Sequence, residues 1–155
     1  MINWLVRLIP VFYTDLDSSI KGRILGFIIQ IGNKYKEDKG LLAHERCHVR
    51  QFWKLGMLAI MVGALLVALG YVYGILFLSL IPIHIQLYKY NLKYRYKCEI
   101  EAYGYSLVYG NRTIQNVKWV LEKEYLIPQK IMKDFNIDME LSMNSARKDI
   151  DELVK

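Results

Sequence analysis

Two histidines and a glutamate within residues 44–48 form the pattern His-Glu-x-x-His. On an α-helix, His44 and His48 lie one turn apart on the same face, so both imidazoles can bind one metal ion. Glu45 is one step further round the helix, where its carboxylate can take a proton from a water molecule that the ion activates. The spacing therefore predicts a zinc ion, Zn2+, at a site for metal-assisted hydrolysis.

The residues around the motif favour a buried helix. Residues 41–55 contain no proline or glycine, and apolar residues bracket both histidines. Gly40 lies before this segment and Gly56 after it, which predicts a helix that stops near Gly56. The alternative interpretation is a pair of histidines on a solvated helix face that binds no metal.

A catalytic zinc site needs a third protein ligand and an open position. Residues 88–109 are predicted to form a second helix, which carries two acidic residues, Glu99 and Glu101. Glu99 has aromatic and small neighbours on its face, which favours close packing against the motif helix, whereas Glu101 faces elsewhere. Spacing alone gives Glu99 a slight preference and leaves Glu101 open.

Three further residues can in principle bind metal but have simpler interpretations. His84 lies in an apolar run, where a lone histidine is usually packed or hydrogen-bonded. Cys47 is turned about 100° from His48 and is interpreted as a small packed residue. Cys98 precedes Glu99, so we expect the two cysteines to lie near each other as reduced thiols, since two cysteines do not make a disulfide framework.

The two motifs together resemble those of the gluzincin metallopeptidases, most closely the membrane-embedded branch typified by the HtpX and CAAX-prenyl endopeptidases. In that branch, H-E-x-x-H is completed by the first glutamate of an E-x-E-A-D-like motif on a later helix. The resemblance implies that His44, His48 and Glu99 are zinc ligands and that Glu45 is the general base. In its short length the chain is more similar to small H-E-x-x-H proteins of bacteriophages.

The chain departs from the gluzincin pattern at Tyr103. That family usually has an aspartate there, which orients a ligand histidine, although a tyrosine hydroxyl can also form a hydrogen bond. A tyrosine is also a candidate donor to the oxyanion of the reaction. Tyr103 and Tyr105 are the two candidates for that role.

An apolar run covers residues 55–87, which contain no Asp, Glu, Lys or Arg. His44 and His48 precede this run and Glu99 follows it, so both ends must lie on the same side of any membrane. A helical hairpin turning near residues 70–74 satisfies this requirement, whereas a single crossing does not. Basic residues on both flanks place both flanks in the cytoplasm; they are Arg46, Arg50, Lys54, Lys89, Lys93, Arg95 and Lys97.

The arms of this hairpin are short for a membrane span. About 15 residues per arm give roughly 22 Å, against a hydrocarbon core of roughly 30 Å, so the hairpin is expected to be re-entrant or to thin the bilayer. The alternative is a buried hairpin in a soluble protein or in a virion. Residues 1–10 lack the features of a signal peptide, so a cytoplasmic start is expected.

The remaining segments predict short elements. Residues 23–31 are β-prone and predict a short strand or strand pair, either in the core or at an edge beside the zinc, where an extended substrate can add. Residues 112–155 form a polar C-terminal part with helices expected at 113–125 and 144–155. The net charge is +6, but the basic residues cluster around the apolar run, which favours lipid over nucleic acid as a partner.

The sequence therefore predicts one mainly α-helical domain over residues 1–155. In it, a motif helix and a glutamate-bearing helix are joined by an apolar hairpin. The expected function is zinc-dependent hydrolysis of a peptide or protein substrate at a membrane, without nucleic acid. The alternative function is that of a non-catalytic structural or assembly protein, such as a phage virion component that retains the fold.

Overall fold

The computed structural model describes residues 6, 8–17, 21–25, 28–80 and 82–149. The chain is mainly helical with one small sheet, so the predicted fold class is confirmed. The strands are β1 (Val11–Thr14), β2 (Gly22–Leu25) and β3 (Ile28–Gly32). The α-helices are α1 (Lys39–Ala68), α2 (Ile83–Tyr90), α3 (Leu92–Tyr109), α4 (Ile114–Lys123) and α5 (Phe135–Lys148), with 3-10 helices at Asn33–Tyr35 and Val72–Leu80.

The sheet has the order β1-β3-β2, with the buried residues Ile29 and Ile31 on its central strand. β1 runs parallel to β3, and β2 runs antiparallel to it. The β-prone segment 23–31 thus contributes to two strands rather than one. Within the described residues β2 pairs on one side only, so it is an edge strand, and it also contacts α1.

Helix α1 begins at an N-cap aspartate, Asp38, whose side chain accepts a hydrogen bond from the amide of Leu41 at 2.8 Å. The helix then runs for 30 residues to Ala68, so the predicted stop at Gly56 is wrong. An interior glycine costs only about 1 kcal/mol of helix stability, and the residues after it are mostly strong helix formers such as Leu, Met and Ala. No proline occurs between Gly56 and Ala68 to break the helix.

The apolar run forms the expected hairpin. The chain turns after Ala68 through Gly70, whose φ is +87°, and Val72–Leu80 packs back along α1 as a 3-10 helix. The two arms approach closely where Gly63 and Gly74 face each other. A Cβ atom on Gly63 would lie 2.7 Å from the carbonyl oxygen of Gly74, so only glycine allows this approach.

The helix predicted over residues 88–109 is instead broken at Asn91. This residue has extended backbone angles, and its side chain caps α3 by accepting a hydrogen bond from the amide of Tyr94 at 3.0 Å. Helix α3 then packs against α1 on one side and α5 on another. It therefore belongs to both hydrophobic clusters, one shared with α1 and the sheet, the other with α4 and α5.

The C-terminal part differs from the prediction in its last helix. The helix expected at 113–125 is α4, which Thr113 caps through the amide of Asn116 at 3.2 Å. The helix expected at 144–155 instead begins at Phe135, and residues 150–155 lie outside the described part. Its buried stripe includes Ser142 and Ala146, which a search for large apolar residues overlooks.

Candidate metal centre

Helices α1 and α3 bring together the three residues that the sequence favours as metal ligands. His44 Nε2 lies 3.1 Å from His48 Nε2. Glu99 meets both rings, with Oε1 at 3.2 Å from His48 Nε2 and Oε2 at 3.6 Å from His44 Nε2. His44 and Glu99 are buried, and His48 is nearly so.

These separations fit a tetrahedral metal ion. Bonds of roughly 2.0–2.2 Å to nitrogen and oxygen at tetrahedral angles place neighbouring donor atoms about 3.3–3.6 Å apart. In addition, Oε2 of Glu99 is buried and has no hydrogen-bond partner among the described residues. A buried acceptor without a donor is costly, and a cation would satisfy it. His44, His48 and Glu99 can thus hold a metal ion.

The charges in the cluster are strongly coupled. Burial and the nearby His48 lower the pKa of His44 to about 3. Burial also acts to lower the pKa of His48, but the carboxylates of Glu99 and Glu45 outweigh it and raise that pKa to about 9. Without metal, one proton therefore resides on His48 near neutral pH, and a metal ion must displace it because the ligand is the neutral imidazole.

Glu99 is held as an ionised ligand. Burial alone raises the pKa of its carboxyl group, but His48, His44 and a hydrogen bond from Tyr88 together lower it to about 2. The hydroxyl of Tyr88 donates to Oε1 of Glu99. The carboxylate is therefore charged and oriented before any metal binds.

Glu101, which spacing left as an alternative ligand, lies outside this cluster. Its carboxylate accepts hydrogen bonds from Arg50 at 2.7 Å and from Gln51 at 2.8 Å. Gln51 in turn bonds to Nδ1 of His48 at 2.9 Å. Gln51 was not predicted as a functional residue, yet it links Glu101 to a ligand ring and fixes that ring's orientation. Its position three residues after His48, on the same helix face, is the sequence feature that could have identified it.

Glu45 lies at the same cavity as the two histidines. This cavity has a volume of about 350 Å³ and is lined by residues from β2, α1 and α2, together with Tyr125. Burial, with a contribution from Glu99, raises the pKa of Glu45 to about 7, although His48 and Arg112 oppose the shift. Gly22 of β2 stands against the carboxylate, since a Cβ atom there would lie 2.8 Å from Glu45 Oε1.

The two tyrosines considered for the oxyanion occupy different places. Tyr103 is buried beside the site, with its ring centroid 4.5 Å from that of His44, but it is not among the residues that line the cavity. Tyr105 lies away from the cluster, where its hydroxyl bonds to Arg50 and Asp149. The structure instead places Tyr125 at the cavity.

His84 and the cysteines match their simpler interpretations. His84 is buried and lines the cavity, and its Nδ1 bonds to the hydroxyl of Tyr94 at 2.8 Å rather than joining the ligand cluster. Cys47 and Cys98 are both buried free thiols. Their helices do meet, because Gln51 Nε2 lies 3.6 Å from Cys47 Sγ and 3.0 Å from the carbonyl oxygen of Cys98.

Comparisons with known proteins give no match. No protein-family model matches the chain, and neither a curated protein nor a solved structure matches it. The functional interpretation of this site therefore rests on its own residues and their geometry.

Proposed function

We propose that the protein is a zinc-dependent peptidase. Two imidazoles and one carboxylate are a ligand set typical of catalytic zinc, which leaves one coordination position for substrate or water. His44, His48 and Glu99 would hold the ion. When bound, zinc would supply Lewis acidity, which polarises a carbonyl group and lowers the pKa of water.

The observation that carries this proposal is the place of Glu45. Its carboxylate lies at the same cavity as the histidines of the cluster and is shielded from bulk water. A base works best when its pKa is near the operating pH, and burial brings Glu45 to about 7. Glu45 would take a proton from the attacking water and pass it to the leaving amine.

The neighbouring edge strand supports a peptide as the substrate. Gly22 and Ile24 of β2 line the cavity, and β2 has a partner on one side only within the described residues. An extended peptide can add to such an edge through backbone hydrogen bonds. Because glycine has no side chain, Gly22 leaves room for Glu45 beside this edge.

Tyr125 is the tyrosine best placed to donate a hydrogen bond to the oxyanion. It lines the cavity, and burial raises its pKa, so the phenol keeps its proton at neutral pH. Tyr103 would instead support His44 by ring contact. We expect Tyr125→Phe to lower kcat about tenfold to a thousandfold while zinc content stays unchanged.

A non-catalytic assembly role is the second candidate. It is favoured by Tyr103, because an aromatic ring contacts His44 where the gluzincin pattern has an acid that orients the ligand. In this case the metal would stabilise the fold without turnover. The two proposals make the same prediction for metal binding and opposite predictions for hydrolysis.

The experiment compares zinc-loaded wild type with Glu45→Gln and with a matched control, Glu140→Gln, which removes an exposed carboxylate on α5. Each protein is assayed for bound zinc and for cleavage of a mixed peptide library by mass spectrometry. A catalytic base predicts that Glu45→Gln keeps its zinc but cleaves about 100-fold or more slowly than the control. Zinc-loaded wild type that cleaves no faster than Glu45→Gln would support the assembly role.

A further inference from the structure

The hairpin formed by residues 55–80 exposes apolar side chains on both of its arms. Among its described residues, the buried ones are Gly56, Ala59, Gly63 and Gly74, three of which have no side chain, so the hairpin has almost no core of its own. Nine of its large apolar residues are more than half accessible: Leu58, Met61, Leu65, Leu69, Tyr71, Val72, Tyr73, Ile75 and Leu76. Exposed apolar surface of this extent is rare on a soluble monomer.

The surrounding charge has one sign. No acidic residue occurs between Glu45 and Glu99, while exposed lysines flank the apolar run at Lys54, Lys89 and Lys93. Basic residues at the end of an apolar segment attract an anionic lipid surface. The exposed lysines and the absence of acidic residues favour an anionic bilayer over a protein as the occupant. The exposure of apolar side chains on both arms also fits a medium that surrounds the hairpin.

The turn at the tip is suited to a medium without water. Its amides donate to carbonyls of the same hairpin: Leu69 to Leu65 at 3.0 Å, Gly70 to Val67 at 2.9 Å, Tyr71 to Leu66 at 2.9 Å and Gly74 to Tyr71 at 2.9 Å. A backbone amide left unbonded in hydrocarbon costs several kcal/mol. These four amides therefore meet a requirement that a water-exposed loop does not have.

The length of the hairpin limits how deep it can reach. α1 is long and apolar enough to cross a membrane by composition, but residues 40–51 of it are largely buried in the domain. The part from Leu55 to Ala68 spans about 21 Å at 1.5 Å per residue, and the return arm about 18 Å at 2.0 Å per residue. Both values are below the roughly 30 Å of the hydrocarbon core.

We propose that the hairpin inserts into an anionic lipid bilayer from one side and ends inside it without crossing. The domain with the metal centre would then remain on the side from which the hairpin enters. This inference is independent of the proposed hydrolysis, because it needs neither zinc nor Glu45. The partner of the exposed apolar surface is then a lipid bilayer rather than a second copy of the chain.

Insertion can be measured with environment-sensitive fluorophores on single introduced cysteines, since native Cys47 and Cys98 are buried. Leu65→Cys reports on the hairpin, and Lys118→Cys on the exposed face of α4 is the control. Vesicles of phosphatidylcholine, with or without phosphatidylglycerol, are added to the full chain. We expect co-flotation that phosphatidylglycerol strengthens, with a blue shift at position 65 and none at 118. No flotation, or an unshifted label at 65, would overturn the proposal.

Two further results would also overturn it. A Leu69→Cys variant that reacts with an impermeant maleimide trapped in the vesicle lumen would show that the hairpin crosses. A blue shift at position 65 in a lipid-free dimer, without a further change on vesicles, would identify a second copy as the partner. Sedimentation analysis without lipid separates this case from monomer insertion.

Matched charge variants separate membrane binding from the metal centre. L65E with I75E places two carboxylates on the exposed hairpin, whereas I137E with L141E places two at equally exposed positions of α5. We expect the hairpin variant to bind vesicles about a hundredfold more weakly and the control to bind normally, with the same zinc content in both. Equal vesicle binding would refute insertion, whereas absent zinc with normal vesicle binding would refute only the peptidase proposal.

Discussion

Glu99 and Glu101 provide a sharp test of the metal centre because they lie two residues apart on α3 and differ only in their surroundings. Glu99 is fully buried and meets both histidines, whereas the Glu101 side chain is 37% exposed and pairs with Arg50. Replacing either carboxylate by an amide keeps the side-chain volume almost unchanged. Glu99→Gln removes one of three ligands, whereas Glu101→Gln removes none.

The expected losses follow from these contacts. A residue that only orients a ligand is worth roughly 10–100-fold in metal affinity, so the loss of an anionic ligand should exceed about 100-fold, or about 2.7 kcal/mol. Glu101→Gln should lower zinc affinity by less than about tenfold, because Glu101 reaches the ligand His48 only through Gln51. It weakens a partly exposed ion pair, which costs about 0–1 kcal/mol of stability, and Arg50 retains Asp149 at 2.9 Å.

Both variants should remain folded at a pH of about 7.5, since His48 is free to become neutral once its ionised partner is gone. Zinc affinity is measured by competition with a chromophoric chelator, and folding by circular dichroism. Equal zinc affinity of Glu99→Gln and wild type would refute the ligand assignment. A larger loss in Glu101→Gln than in Glu99→Gln would show that the wrong carboxylate has been identified.

Three further predictions concern packing and pH. Gly104→Ala should destabilise the protein by about 1–3 kcal/mol in urea unfolding, because the new Cβ atom would lie 2.0 Å from Ser142 Oγ. A stability equal to that of wild type would contradict the packing of α3 against α5. Gly22→Ala should reduce peptide cleavage without loss of zinc, since its Cβ atom would displace the Glu45 carboxylate, and undiminished cleavage would argue against that carboxylate as the base. Although burial opposes it, the neighbouring carboxylates raise the pKa of His48 from 6.5 to about 9. Protonated His48 therefore stabilises the metal-free fold fully below a pH of about 6.5, and this stabilisation is lost as the pH rises through about 9. Calorimetry in a chelator should show Tm falling across that window, and a flat Tm would contradict the coupling.

The ligand histidines could be predicted because their relation is local. Residues four apart on a helix share a face, so His44 and His48 follow from spacing alone. The choice of Glu99 over Glu101 depends on which face of α3 meets α1, and spacing gave it only a slight preference. Tyr125 could not be chosen, since its place at the cavity depends on packing between distant segments.

The fold was predictable where the signal was long or periodic. The uncharged run and the positions of the metal ligands together led to a hairpin, which the structure contains. The strand β1 was missed because its pairing with β3 crosses a gap in sequence that local preferences do not reveal. The break at Asn91 was missed because its capping side chain, rather than a glycine or proline, ends one helix and begins the next.

X-ray absorption at the zinc edge tests the central claim most directly, because it identifies the atoms bound to the metal. The full chain loaded with one equivalent of zinc should show only nitrogen and oxygen neighbours at about 2.0–2.2 Å, with the scattering of two imidazoles. In the Glu99→Gln variant the spectrum should change, and in Glu101→Gln it should not. A sulfur neighbour at about 2.3 Å, from Cys47 or Cys98, or fewer than two imidazoles, would contradict a centre built from His44, His48 and Glu99.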